Sequence, residues 1–135
     1  MPLSVQVVSP ERVLWTGEAD SVLTRTLSGG DIAFLNGHAP FVGALGTGVT
    51  RIHPVEGPDV AVAVHGGFVE VSDNQVSILS DVAELAGSID VERAQAAKDK
   101  AEAALRLEHD AECEAALTRA NARLQAAGGA SVTAH

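Results

Sequence analysis

The residues that bend or break a backbone are confined to one part of this chain. All five prolines lie at or before Pro58 and eleven of the thirteen glycines at or before Gly87, while the stretch beyond is dominated by Ala, Glu, Arg and Leu. Proline and glycine punctuate turns and interrupt helices. Two parts with different folding rules follow: residues 1–87 are expected to form one domain and residues 88–135 another.

The first part alternates apolar and polar side chains in short runs. Leu3-Ser4-Val5-Gln6-Val7 and Val60-Ala61-Val62-Ala63-Val64 both carry the period of two that puts successive side chains on opposite faces of a strand. Ser28-Gly29-Gly30, Asn36-Gly37, Gly46-Thr47-Gly48 and Glu56-Gly57-Pro58-Asp59 supply turn chemistry and are each expected to reverse the chain. Asp73-Asn74, between two apolar runs, reads as a two-residue hairpin turn. Many short strands at such spacing point to a sandwich or barrel.

From Ser88 the period becomes helical. Asp90 is placed to cap the first helix and Glu92 suits its positive end. Ala94, Ala97, Ala101, Ala104 and Leu105 share one face, and Cys113, Leu117, Ala120, Leu124 and Ala127 repeat the spacing on a second helix that Gly128-Gly129 should stop. Cys113 reads as a buried small hydrophobe on that stripe. The break falls at Glu108-His109-Asp110, with Asp110 as a second N-cap. No Gly or Pro enforces it, so one long helix is the alternative. The tail from Ala130 to His135 is expected to fray. Alanine faces bury little area at ~25 cal/mol per Å2 of apolar surface, so the helical element should be weakly held and displaceable. The class is α+β.

Composition excludes several functions. A net charge of −9, with three basic side chains (Arg12, Arg25, Arg51) against ten acids in residues 1–87, is the wrong sign for nucleic acid or anionic lipid. There is no apolar run long enough to cross a membrane and no signal-peptide pattern at the start, so a cytosolic location and a protein partner are expected. The single cysteine rules out an internal disulfide framework. Both lysines, Lys98 and Lys100, fall in a helix and no P-loop exists; nor does a Gly-x-Ser-x-Gly elbow. His38, His53 and His65 lack the i,i+2 or i,i+4 pairing of a zinc site, so no metal is expected. Arg119 and Arg123 are neighbours on one helix turn with no acid at i−3 or i−4. They are expected either to sit in solvent or to meet an external anion.

The stretch from Ser28 to Phe41, SGGDIAFLNGHAPF, resembles the signature loop of the epsilon subunits of F-type ATP synthases. The resemblance continues in order through Leu45-Gly46-Thr47-Gly48-Val49, Gly66-Gly67-Phe68-Val69-Glu70-Val71 and the run from Val76 to Glu84. It then reaches the helical part at Ile89-Asp90-Val91-Glu92-Arg93-Ala94 and Arg119-Ala120-Asn121-Ala122-Arg123-Leu124. Asn36 stands where this family often has Pro, and the link between the helices is shorter than is common.

That resemblance implies an N-terminal β-sandwich of about ten strands followed by a C-terminal antiparallel α-helical hairpin. It implies a non-catalytic rotor subunit, peripheral at the cytoplasmic face of the bacterial plasma membrane. The sandwich would bind the gamma subunit and, through Asp31 and His38, the c-ring; the helices would reach the catalytic head and restrain ATP hydrolysis. No cofactor is required. ATP is implied as a regulatory ligand, held by Glu84, Ile89, Asp90, Arg93, Ala94, Arg119 and Arg123. The rival from another class is a small ligand-binding β-sandwich with a histidine-lined pocket and an accessory helix, which co-purification with a gamma subunit would separate from the first.

Overall fold

The computed structural model describes residues 2–108 and 110–128. Seven strands come first among the described residues: β1 (Leu3–Val8), β2 (Val13–Arg25), β3 (Asp31–Leu35), β4 (Phe41–Pro54), β5 (Val60–Ser72), β6 (Gln75–Leu79) and β7 (Ala83–Leu85). A 3-10 turn at Ala86–Ser88 then leads to α1 (Val91–Leu107) and α2 (Ala111–Gly128). The strands run in the order β1-β6-β5-β4-β2-β3, and β1 also pairs with β2, so the sheet closes on itself. β1 and β6 are parallel; the other pairings are antiparallel. Alternation on β1 works as its sequence predicts: Leu3, Val5 and Val7 are buried while Ser4 and Gln6 face out. The core is mainly Val, Leu and Ile inside the closed sheet, with Phe34 its largest side chain.

Seven strands, not about ten, is a correction with a physical cause. β2, β4 and β5 are 13, 14 and 13 residues long; β2 and β5 each pair with three strands along their length and β4 with two. β5 pairs with β7 through Val62, Ala63 and Val64 and with β6 from Phe68 onward. The corner between those partners is Gly66-Gly67, whose positive φ values of 85 and 126° bend the strand without ending it. Gly46-Thr47-Gly48, expected to reverse the chain, lies inside β4 instead. The other turns form as expected. Gly29, Gly37 and Gly57 take positive φ, and Asp73 and Asn74 (φ 51 and 59°) make the tight turn between β5 and β6.

Two caps divide the helices. Asp90 Oδ1 accepts from the Arg93 amide at 3.1 Å, and Asp110 Oδ1 accepts from the Cys113 amide at 2.8 Å. Between them Glu108 is extended (φ −149°), which ends α1 and makes a hairpin rather than one long helix. Ala94 and Ala101 are buried as expected, but Ala97 is exposed and Cys113 only half-buried. α2 buries Ala120, Ala122 and Ala126. A single stripe describes this helix poorly because it packs on α1 and also lies across β4, β5 and β7. The same contact explains Ala63, on the outward face of β5 yet fully buried. Residues 129–135, with the second glycine of the expected helix stop and the expected frayed tail, lie outside the described residues, as does His109.

Candidate functional site

Where α2 crosses the sheet, three charged or titratable side chains meet. Glu84 on β7 stands opposite Ala63 on β5, and His65 is two residues further along the same face. Glu84 Oε1 accepts from Arg123 Nε at 2.7 Å and pairs with His65 Nε2 at 3.1 Å. The His65 side chain is 5% exposed, whereas Glu84 and Arg123 are 31% and 28% exposed. An ionised carboxylate only accepts, so Nε2 carries the proton. Nδ1 is then a bare acceptor, and it is buried without a partner among the described residues.

Electrostatics follows from that packing. Burial holds the His65 pKa below its ordinary 6.5, the Arg123 charge adds to the effect, and the Glu84 hydrogen bond opposes it without cancelling it. For Glu84, burial favours the neutral acid, but the hydrogen bonds from Arg123 and His65 outweigh it and hold the carboxyl below its usual range. At neutral pH the cluster is neutral imidazole, carboxylate and guanidinium. It ties the hairpin to the sheet.

Arg119 and Arg123 therefore do have counterions, contrary to expectation. Arg119 Nη2 donates to Glu112 Oε1 at 2.9 Å, two helical turns back, and Arg123 finds its partner in the sheet. A search of i−3 and i−4 reaches neither. Of the remaining residues expected at a nucleotide, Ile89 is half-buried, Ala94 is buried, and Asp90 uses one carboxylate oxygen on the α1 amide. Arg93 is exposed, and its guanidinium has no ion pair among the described residues. The structure thus joins Glu84 to Arg123, sets four residues in sequence at the start of α1, and diverts Arg119 to Glu112.

Asp31 and His38 are not brought together. Asp31 is the first residue of β3, whose five residues span ~14 Å at ~3.4 Å per step, and His38 lies in the loop beyond its far end. Asp31 pairs with Arg25 at 3.3 Å. His38 is half-buried, its ring edge-on to Phe34 at 4.9 Å and its Nδ1 2.7 Å from the Ala39 carbonyl. The loop before it is clamped by Asn74: Nδ2 donates to Asn36 Oδ1 at 2.6 Å, and Oδ1 accepts from the Gly37 amide at 2.8 Å. Asn74 is a residue that the sequence revealed only as a turn former. His53 pairs separately with Asp59, and no group of three metal-ligating side chains lies together among the described residues.

Both parts of the chain match known families in order. Residues 2–86 match the family described as ATP synthase, Delta/Epsilon chain, beta-sandwich domain, and residues 88–128 match its long alpha-helix domain. Similar curated proteins include the ATP synthase epsilon chain of Streptomyces coelicolor, 43% identical over 127 residues that cover 94% of this chain and 96% of the relative. The chain of the same description from Trichodesmium erythraeum is 40% identical over 136 residues, 96% of this chain and 98% of that one. A chain in the cryo-EM structure of the Euglena gracilis mitochondrial ATP synthase, OSCP/F1/c-ring in rotational state 1, has the same fold. It shows a TM-score of 0.70 at 21% identity over 99% of this chain and 82% of that one.

Proposed function

The chain belongs to the ATP synthase delta/epsilon family across both its parts, and from that premise we infer a non-catalytic central-stalk subunit of a rotary ATP synthase. It couples the catalytic head to the c-ring and is held to the membrane through its partners, on the cytoplasmic face. None of the described helices is long and apolar enough to cross a bilayer.

The observation that carries the partner assignment is an exposed apolar strip on the sheet. Phe68 is 57% exposed and pairs across strands with Leu79, 42% exposed, on one side and Ala44 on the other. Val42, two residues along the same face, is 70% exposed. Large apolar side chains grouped on one face mark a protein contact. This strip receives gamma, while the β3 edge, running from Asp31 to the clamped His38 loop, meets the c-ring. The hairpin is the regulatory part: docked through Glu84 and Arg123 it leaves rotation unhindered, and released it reaches the catalytic head and restrains hydrolysis. ATP bound among Glu84, Ile89, Asp90, Arg93, Ala94, Arg119 and Arg123 favours the docked form.

Co-purification with the gamma subunit tests the assignment. The wild-type chain is expected to be retained by gamma, and Val42→Glu/Phe68→Glu to lose retention roughly tenfold or more, as when a buried apolar anchor becomes charged. Failure of the wild type to bind gamma sinks the stalk reading. Undiminished binding by the folded double variant sinks the strip.

A further inference from the structure

A second charged site lies under the hairpin, on a different face of α2 from Arg119 and Arg123. A cavity of about 360 Å3, within the usual range for small-molecule sites, separates α2 from the outer face of β2 and β4. Arg51 pairs across strands with Leu23, and Arg25 is two residues further along the same face, so both arginines turn toward the helix. Only three basic side chains exist in residues 1–87 of a chain with net charge −9, and two of them line this one cavity.

The two arginines differ in what they do there. Arg25 is occupied: Nε meets Asp31 at 3.3 Å and Nη1 donates to the Gly29 carbonyl at 3.4 Å. Its side chain lies across Gly48, where an added Cβ would come within 2.9 Å of Cδ. Arg51 is half-buried and has neither a hydrogen bond nor an ion pair among the described residues. Facing it from α2 are Thr118, Asn121 and Gln125. The Asn121 and Gln125 amides, four residues apart on one helix face, make no side-chain hydrogen bond among the described residues either. Asp31 cancels Arg25, which leaves one net positive charge with uncommitted amide donors around it.

We propose that this cavity binds a phosphate-class oxyanion, held by the Arg51 guanidinium and by the Asn121 and Gln125 amides. A planar guanidinium offers two parallel N–H donors to one such group, and neutral amides add donors without adding charge. The anion bridges β4 and α2, so it binds the docked hairpin in preference to the released one and stabilises it by linkage. This goes beyond the nucleotide reading and uses none of its residues.

Calorimetric titration of the full chain with pyrophosphate tests it, with ATP as a second arm. Saturable binding of pyrophosphate is expected. Arg51→Gln and, from the helix side, Asn121→Leu should each weaken it roughly ten- to hundredfold, the range for losing a charge-assisted hydrogen bond. Arg119→Ala/Arg123→Ala should bind it like the wild type. Circular dichroism melts of each variant establish that the chain is folded. Pyrophosphate binding lost in Arg51→Gln while ATP binding persists assigns the site to the free anion, and loss of both ligands in Arg51→Gln assigns it to any phosphate group. No heat with pyrophosphate at ~10 mM, weaker than any useful affinity, overturns the proposal. So does equal binding by folded Arg51→Gln, or loss confined to the Arg119/Arg123 variant.

Discussion

Arg123 on the second helix donates to the same oxygen of Glu84 that pairs with His65, at 2.7 and 3.1 Å, so one carboxylate atom joins the hairpin to two strands of the sheet. Each partner is about a third exposed or less, and removing one leaves the others desolvated without compensation. Glu84→Gln should therefore weaken hairpin docking by about 1.5–3 kcal/mol, the range for a hydrogen bond to a charged group. Hydrogen exchange reads this by region. Amides of α2 are expected to exchange faster by roughly tenfold or more while those of β1 and β6 are unchanged. Equal exchange of α2 in both proteins contradicts the latch.

The same cluster makes docking depend on pH. Burial of His65, a residue of β5 where α2 crosses the sheet, lowers its pKa below 6.5, so between that value and the docked one the released state binds more protons. The contribution of His65 to docking is therefore complete above pH 6.5 and is lost as pH falls through the docked value. Glu84, held below 4.5, adds a loss in the same direction at still lower pH. Protease sensitivity of the hairpin should rise as pH is lowered below about 6.5, on the acid side of the range in which histidine titrates. His65→Gln should flatten the profile over that interval. A wild-type profile that is already flat, or a variant that keeps the slope, assigns the effect elsewhere.

The strands and helices were legible because their periods differ and because glycine and proline stop near Gly87. Local chemistry also gave both caps, Asp90 and Asp110, since each acts within three residues of itself. The strand count was not legible. Gly66-Gly67 and Gly46-Thr47-Gly48 carry turn composition, yet glycine serves a bent continuous strand as well as a reversal, and only long-range pairing decides which. The latch was half legible. Glu84 and Arg123 each stand out in the sequence, but their contact joins residues 39 apart, and the counterions of Arg119 and Arg123 lie beyond the helix-neighbour spacings.

The glycine corner of β5 gives a stability prediction. A Cβ on Gly67 would stand 2.1 Å from the Leu79 carbonyl oxygen, at a φ of 126° that side chains rarely adopt. That contact is with backbone of the neighbouring strand, so no rotamer change relieves it. Gly67→Ala is expected to destabilise the β domain by about 3 kcal/mol or more, combining a strained backbone with a forced strand shift. Gly30→Ala, with nothing within 4 Å and no positive φ, should cost almost nothing. Urea unfolding of the two variants side by side checks the contrast, and similar midpoints would contradict the corner.

ATP regulation of the hairpin meets a specific obstacle in this chain, and the obstacle yields a test. Both second-helix arginines already hold carboxylates: Arg123 holds Glu84 at the sheet, and Arg119 holds Glu112 at 2.9 Å. Phosphate oxygens must displace both. The Glu112 side chain is 78% exposed, so its pair belongs to the surface class worth ~0.2–1 kcal/mol, and releasing it costs little. Removing that competitor should help the ligand by the same amount. Glu112→Ala is therefore expected to tighten ATP binding by roughly 1.4- to fivefold, while Arg119→Ala/Arg123→Ala abolishes it and Arg51→Gln leaves the nucleotide contacts of these arginines intact. Because ATP shifts docking only by its differential affinity for the docked form, the tighter variant should also protect α2 from exchange at lower ATP. Calorimetry and exchange on the full chain measure the two effects independently. Absence of heat at millimolar ATP in the wild type and in Glu112→Ala, or equal binding by the double-arginine variant, removes ATP from the hairpin and leaves its arginines as contacts to carboxylates alone.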